Sequence, residues 1–149
     1  MSVTQENWEL DELMVHEMMI SSEKVAHVQS NNPLEHALLV LVKSGYSAVP
    51  VLDTEYKLVG LISKTVILNE ILGLERFETE RLSEMKVSDV MNKEEISIKE
   101  TATFVDGLNA LINRPFICVT DDKGHFDGIL TRRAILKELK KDYYMSKNK

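Results

Sequence analysis

Apolar residues mark out a regular succession of elements along this chain. Leu10, Leu13, Met14 and Met18 recur at helical spacing and predict a helix over residues 7–19. Val25-Ala26-His27-Val28 reads as a short strand. Asn32-Pro33 has the form of a helix start, with Asn as N-cap and Pro at the first helical position. Leu34, Leu38, Leu41 and Val42 give that helix an apolar side, and Gly45 ends it. Strands over 47–52 and 58–62 flank a turn at 53–57, and a helix runs from about Lys64 to Gly73. The pattern then breaks. Residues 74–86, LERFETERLSEMK, form a charged and partly helical connector. Afterwards the same order returns: a strand at 96–98, a helix from Thr101 or Thr103 to about Asn113, and a hairpin of 116–120 and 126–130 across Asp121-Asp122-Lys123-Gly124. A last helix is expected from Arg132 to about Tyr144, its lysine-rich end fraying.

The return is a repeat. Gly60-Leu61-Ile62-Ser63-Lys64-Thr65 reappears 68 positions later as Gly128-Ile129-Leu130-Thr131-Arg132-Arg133, and VHEMM at 15–19 reappears as VSDVM at 87–91. The fold class is therefore α/β (α+β), with two β-α-β-β-α repeats over 10–73 and 87–142 joined by the 74–86 connector. A three-stranded sheet with both helices on one face leaves its other face apolar. Two such sheets are expected to pack face to face about a pseudo-twofold axis. Ligand clefts are expected where strand ends of one half meet helix starts of the other.

One helix start is electrostatically odd. Arg132 and Arg133 follow directly on Thr131, where the helix dipole already places partial positive charge. An anion on the free N–H groups of the first turn makes sense of that placement. The alternative is a solvated pair of surface arginines. The 149 residues carry a net charge of −6, which argues against nonspecific nucleic-acid binding. Any phosphate affinity is local. A single cysteine excludes an internal disulfide framework and fits a cytoplasmic protein. The acidic, polar beginning is unlike a secretory signal, and no apolar run approaches membrane-spanning length. No nucleophile–base set, P-loop or metal-ligand spacing stands out, so neither catalysis nor a metal is expected. Cys118 is expected to lie buried and inert, and His27 and His36 to be structural.

The paired unit, the h-x-x-h-Met starts and the Gly-h-h-[Ser/Thr] strand-to-helix turns resemble a tandem cystathionine-beta-synthase (CBS) domain pair, the Bateman module. More specifically, EKVAHVQ (23–29), LEHALLVLVKSGYSAVPVLD (34–53), GLERFE (73–78) and FDGILTRRAILKELKK (126–141) resemble the small stand-alone CBS proteins of Gram-positive bacteria that bind cyclic di-AMP. In typical adenine-nucleotide-binding members an Asp three residues after the Ser/Thr holds ribose hydroxyls. Here Val66 and Ala134 occupy those positions. Cyclic di-AMP has no free 2′,3′-diol, so it makes no use of such a carboxylate.

The resemblance implies a ligand site made of Lys24, Val25, Ala26, Tyr46, Ser47, Ala48, Thr131, Arg132 and Arg133. In it Arg132, Arg133 and Lys24 meet phosphate. The Tyr46 ring lies on a purine, and the small Ala26 and Ala48 admit an adenine edge to their backbone. The Lys64–Thr65 cleft has one cation fewer than its counterpart, so one ligand per chain is expected. A homodimer is implied as well. So is regulation of a partner enzyme, by resemblance the (p)ppGpp synthetase/hydrolase or pyruvate carboxylase. Two alternatives of other kinds are a generic ATP/AMP-sensing Bateman module and a ligand-independent interaction scaffold.

Overall fold

The computed structural model describes residues 10–94 and 96–147. They form seven named helices, α1 (Val15–Met18), α2 (Leu34–Ser44), α3 (Lys64–Ile71), α4 (Arg81–Glu84), α5 (Val87–Val90), α6 (Phe104–Ala110) and α7 (Arg132–Lys147). Their strands are β1 (Ile20–Ser21), β2 (Val28–Gln29), β3 (Ala48–Leu52), β4 (Leu58–Ser63), β5 (Ser97–Lys99), β6 (Phe116–Thr120) and β7 (Phe126–Thr131). The strands make two sheets, ordered β1-β7-β6-β5 and β2-β3-β4.

Two compact units result, and they do not follow the sequence repeats. Among the described residues the first contains 10–25, 97–123 and 127–147, and the second 26–94, 96 and 124–126. Each unit thus takes its opening helix from the other repeat. In the first unit, Val15 of α1 is fully buried among Phe104, Leu111, Ile117, Val119, Leu130 and Ile135. In the second, Val87 of α5 is fully buried among Leu34, Ala37, Leu41, Val49, Val51, Ile62 and Ile67.

Backbone hydrogen bonds hold both exchanged helices in the same manner. Val15 and His16 N–H donate to the carbonyls of Ala102 and Glu100, at 2.9 and 3.1 Å, while Phe104 N–H donates to Leu13. Val87 and Ser88 N–H donate to Asn32 and Ser30, both at 2.9 Å, while Leu34 N–H donates to Met85. The acidic residue repeated within VHEMM and VSDVM has a shared role. Glu17 accepts from Met14 N–H and Asp89 from Lys86 N–H, closing the first turn of α1 and α5.

These bonds explain where the elements depart from the periodicity. A helix over 7–19 is expected, but Met14 is extended (φ −104°, ψ 155°) and bridges Thr103. The helical run is therefore interrupted between residues 10–12 and α1, and residues 7–9 lie outside the described part. The strand expected at 25–28 pairs only from Val28, which sits opposite Val51 of the parallel β3. Asn32 does not cap α2. Its Oδ1 accepts from Gln29 N–H at 2.8 Å, and an extended Pro33 stands at the cap. The last helix continues through Lys147, beyond the expected end.

After each exchanged helix the chain runs on against the strand of the repeated Gly-h-h-[Ser/Thr] motif. β1 pairs antiparallel with β7, Ile20 opposite Ile129 and Ser21 opposite Gly128. Asn92 bridges Leu61 through a reciprocal pair of 2.8 Å bonds. The repeated glycines stand where that approach is closest. A Cβ on Gly128 would collide with the Ile20 carbonyl oxygen, and one on Gly60 would lie 2.5 Å from the Met91 sulfur.

Gly128→Ala is therefore expected to destabilise by about 1–3 kcal/mol, the usual cost of overpacking. That corresponds to a melting point roughly 3–10 °C lower in a scanning calorimeter. Gly60→Ala meets a side chain able to shift and is expected to cost less. Equal melting of Gly128→Ala and wild type would contradict this role for the glycine.

Candidate ligand-binding site

Thr131, the last residue of β7, caps the helix it precedes. Its Oγ1 accepts from Ala134 N–H at 3.1 Å, and Ser63 accepts from Val66 N–H at the same distance in the other repeat. The hydroxyl of the repeated motif thus satisfies a first-turn donor that has no partner within the helix. The side chains of Val66 and Ala134 are half-buried against the two cores. No carboxylate stands at either position.

Arg132 has a role that its position in the sequence conceals. Its N–H donates to Pro115, and its guanidinium reaches back to the end of α6, Nε to the Leu111 carbonyl at 2.8 Å and Nη2 to the Ile112 carbonyl at 3.0 Å. Those carbonyls carry the partial negative charge of a helix C-terminus. The charge is misplaced for α7 and well placed for α6. A signal for this was present: α2 ends on Gly45 in the left-handed region (φ 77°), whereas α6 runs into Asn113-Arg114-Pro115 with no glycine to close it. The arginine closes it instead. Arg133 is exposed and its guanidinium has no hydrogen bond or ion pair among the described residues. It is the uncommitted cation of this helix start.

Lys24 ends a 3₁₀ turn, Ser22–Lys24, that follows β1 in the same unit; it is exposed, and Val25 behind it is buried. Ala26, Tyr46, Ser47 and Ala48 belong to the other unit. There Ala26 is half-buried just ahead of β2, and Ala48 opens the neighbouring β3 opposite Ser63. The Ser47 carbonyl accepts from Lys64 N–H at 3.1 Å, the counterpart of the Pro115–Arg132 bond. Tyr46 is 42% exposed, and its N–H donates to Ser44 Oγ. The nine expected residues therefore fall into two sets, Lys24, Val25, Thr131, Arg132 and Arg133 in one unit and the remaining four in the other.

Other candidate chemistry is structural. The His27 ring meets Tyr56 edge-on at 5.6 Å and leans on Phe126. Burial pushes the Cys118 thiol up to about 12, leaving it protonated at neutral pH. Among the described residues no group of three or more His, Cys, Asp and Glu could hold a metal ion, and no helix is long and apolar enough to cross a membrane.

The CBS domain model matches residues 15–73 and 87–141, and the chain belongs to the CBS-domain family as a tandem pair. Over 133 residues, 89% of this chain and 90% of the relative, it is 48% identical to Cyclic di-AMP receptor B of Bacillus subtilis (strain 168). Among solved structures it resembles a CBS domain-containing protein of unknown function from Bacillus anthracis, with 59% identity, 91% of this chain and 98% of that one covered, and a TM-score of 0.85. It also resembles the CbpB protein of Listeria monocytogenes in complex with c-di-AMP, with 50% identity over 88% of this chain and 98% of that one, and a TM-score of 0.80.

Arg132→Ala is expected to lower stability by about 1–2 kcal/mol, since two charge-assisted bonds to a helix end are lost at a partly exposed site. Arg133→Ala is expected to stay within about 0.5 kcal/mol of wild type. Urea unfolding curves separate the two, and equal curves would deny Arg132 its capping role. A thiol reagent is expected to leave Cys118 untouched until the protein unfolds; rapid labelling of the native protein would contradict its burial.

Proposed function

We propose that this chain is a non-catalytic sensor of cyclic di-AMP, with the ligand phosphates received at the start of α7. The observation that carries the reading is the uncommitted Arg133 guanidinium next to Arg132, on a helix start where Ala134 stands at the position of the ribose-binding Asp of typical family members. Likeness across nine-tenths of the chain to a protein named a cyclic di-AMP receptor, and to a CbpB structure holding that ligand, supports the ligand's identity. Each phosphate of cyclic di-AMP carries one negative charge, which suits a site with one free guanidinium and a second that retains Nη1 for use. Lys24 supplies a third cation, Tyr46 a ring for a purine, and Ala26 and Ala48 room for an adenine edge against the backbone. Thr131 holds the helix start in place, and Val25 and Ser47 fix the segments that carry Lys24 and Tyr46.

A sensor without catalysis acts through what it binds. In this reading the protein works as a homodimer in the cytoplasm, and ligand occupancy alters its affinity for a partner enzyme, by family resemblance the (p)ppGpp synthetase/hydrolase or pyruvate carboxylase. Such coupling requires only that the ligand favour one of two states differing in partner affinity.

Isothermal titration with cyclic di-AMP, ATP and AMP tests the reading. Saturable binding of one cyclic di-AMP per chain is expected, with the mononucleotides much weaker. Arg133→Ala is expected to weaken cyclic di-AMP binding about ten- to a hundredfold, the worth of a charge-assisted hydrogen bond, without loss of fold. Absence of cyclic di-AMP binding, or ATP binding as tight, would overturn the assignment.

A further inference from the structure

Charge is sorted by face along α7. The helix carries six cations and two carboxylates in a chain of net charge −6, so +4 lies on it and −10 on everything else. Its exposed positions hold all six cations and neither carboxylate. Glu138 and Asp142 are half-buried and line a recess with Leu10 and Leu13. Outward, Lys137, Lys140, Tyr144 and Lys147 follow one another at intervals of three, four and three residues, so they share one face. Tyr143, four residues before Lys147, lies beside them.

Both rings are set on the surface. Tyr143 is 58% and Tyr144 52% exposed, and they meet edge-on at 5.5 Å. The Lys140 ammonium stands 5.9 Å from the centre of the Tyr144 ring, and that of Lys147 stands 5.8 Å from the centre of the Tyr143 ring. No carboxylate pairs with Lys137, Lys140 or Lys147 among the described residues. The face therefore offers unneutralised cations and large rings together. Exposed tyrosines of this kind are common anchors of protein interfaces, and charge alone does not cover them. A long polyanion, nucleic acid or an anionic bilayer, brings charge but is repelled by the −10 on the rest of the chain. A short acidic protein segment with interspersed apolar side chains answers both features, and need extend no further than the helix, about 24 Å.

We infer that the outer face of α7 is a docking surface for an acidic, partly apolar segment of a partner protein. Lys137, Lys140 and Lys147 meet its carboxylates, and Tyr143 and Tyr144 pack on its apolar side chains. The inference rests on the proposal that the chain acts by binding a partner, and gives that partner a chemistry.

Fluorescence anisotropy of a labelled helical peptide of Glu and Leu, as long as α7, tests it on the whole chain, with a cyclic di-AMP titration and sedimentation of each variant alongside. Wild type is expected to bind the peptide, and more weakly as salt rises. The triple variant Lys137→Gln, Lys140→Gln, Lys147→Gln is expected to weaken peptide binding about tenfold, three exposed ion pairs being lost. Tyr143→Ser with Tyr144→Ser is expected to weaken it about tenfold as well, with the salt dependence of wild type. All five positions are exposed, so both variants are expected to melt and to bind cyclic di-AMP like wild type. Failure of wild type to bind the peptide, or equal binding by the triple variant, would overturn the docking face, and retained cyclic di-AMP binding would leave the sensor standing. Peptide binding without cyclic di-AMP binding would remove the sensor and keep the face. A single-stranded oligonucleotide or a phosphatidylglycerol vesicle bound more tightly than the peptide would overturn the partner class. Altered sedimentation of the tyrosine variant without peptide would show that a second copy of the chain covers the face, and the inference would fall.

Discussion

The close approach of β1 to β7 at Gly128, matched by that of Asn92 to Leu61 beside Gly60, governs the organisation of this protein. Each repeat sends its opening helix and the residues after it into the compact unit built mainly from the other repeat. The strand that receives them must let a second backbone pass within hydrogen-bonding distance, and a side chain at the crossing point stands in the way. Glycine in the repeated motif is thus a packing requirement. The exchange also binds the two repeats into one folding problem, because neither core is complete without residues contributed by the other, Val15 in one case and Val87 in the other.

The same strand-to-helix turn that accommodates the crossing carries the proposed ligand chemistry. Ser63 and Thr131 cap α3 and α7 identically, yet the residues that follow diverge. Lys64 donates its backbone N–H to Ser47, while Arg132 makes the matching bond to Pro115 and also spends its guanidinium on the end of α6. Two arginines at a helix start are thus different in kind. Arg132 is held by the fold, and a ligand meeting it finds a side chain already oriented. Arg133 is free to be neutralised by whatever anion arrives. Preorganisation of Arg132 limits the entropy that this side chain would lose on meeting an anion.

Much of the architecture was legible in the chain because the repeat supplied two readings of each element. The hairpin of β6 and β7, the helix starting at Arg132 and the burial of Cys118 follow directly from apolar runs and turn residues. Failures fell where distant backbone decided the local conformation. Met14 fits a helical stripe but is drawn out to bridge Thr103, and Asn32 looks like a cap but turns the loop toward Gln29. The swap of opening helices is invisible to periodicity, since both helices carry the same apolar pattern, Val15 with Met18 and Met19 in one and Val87 with Val90 and Met91 in the other. The arginine pair was conspicuous as an anomaly, but half of its explanation lay 20 residues upstream, in a helix that ends without glycine. Local pattern reported that the charge was misplaced without revealing that α6 had already claimed one of the two guanidinium groups.

A crystal grown with saturating cyclic di-AMP is the most direct measurement. The account predicts a phosphate within hydrogen-bonding distance of the Arg133 guanidinium and the first-turn N–H groups of α7, with Arg132 still bonded to Leu111. Density for water alone at that helix start, or a ligand lodged instead beside Lys64 and Thr65, would contradict it.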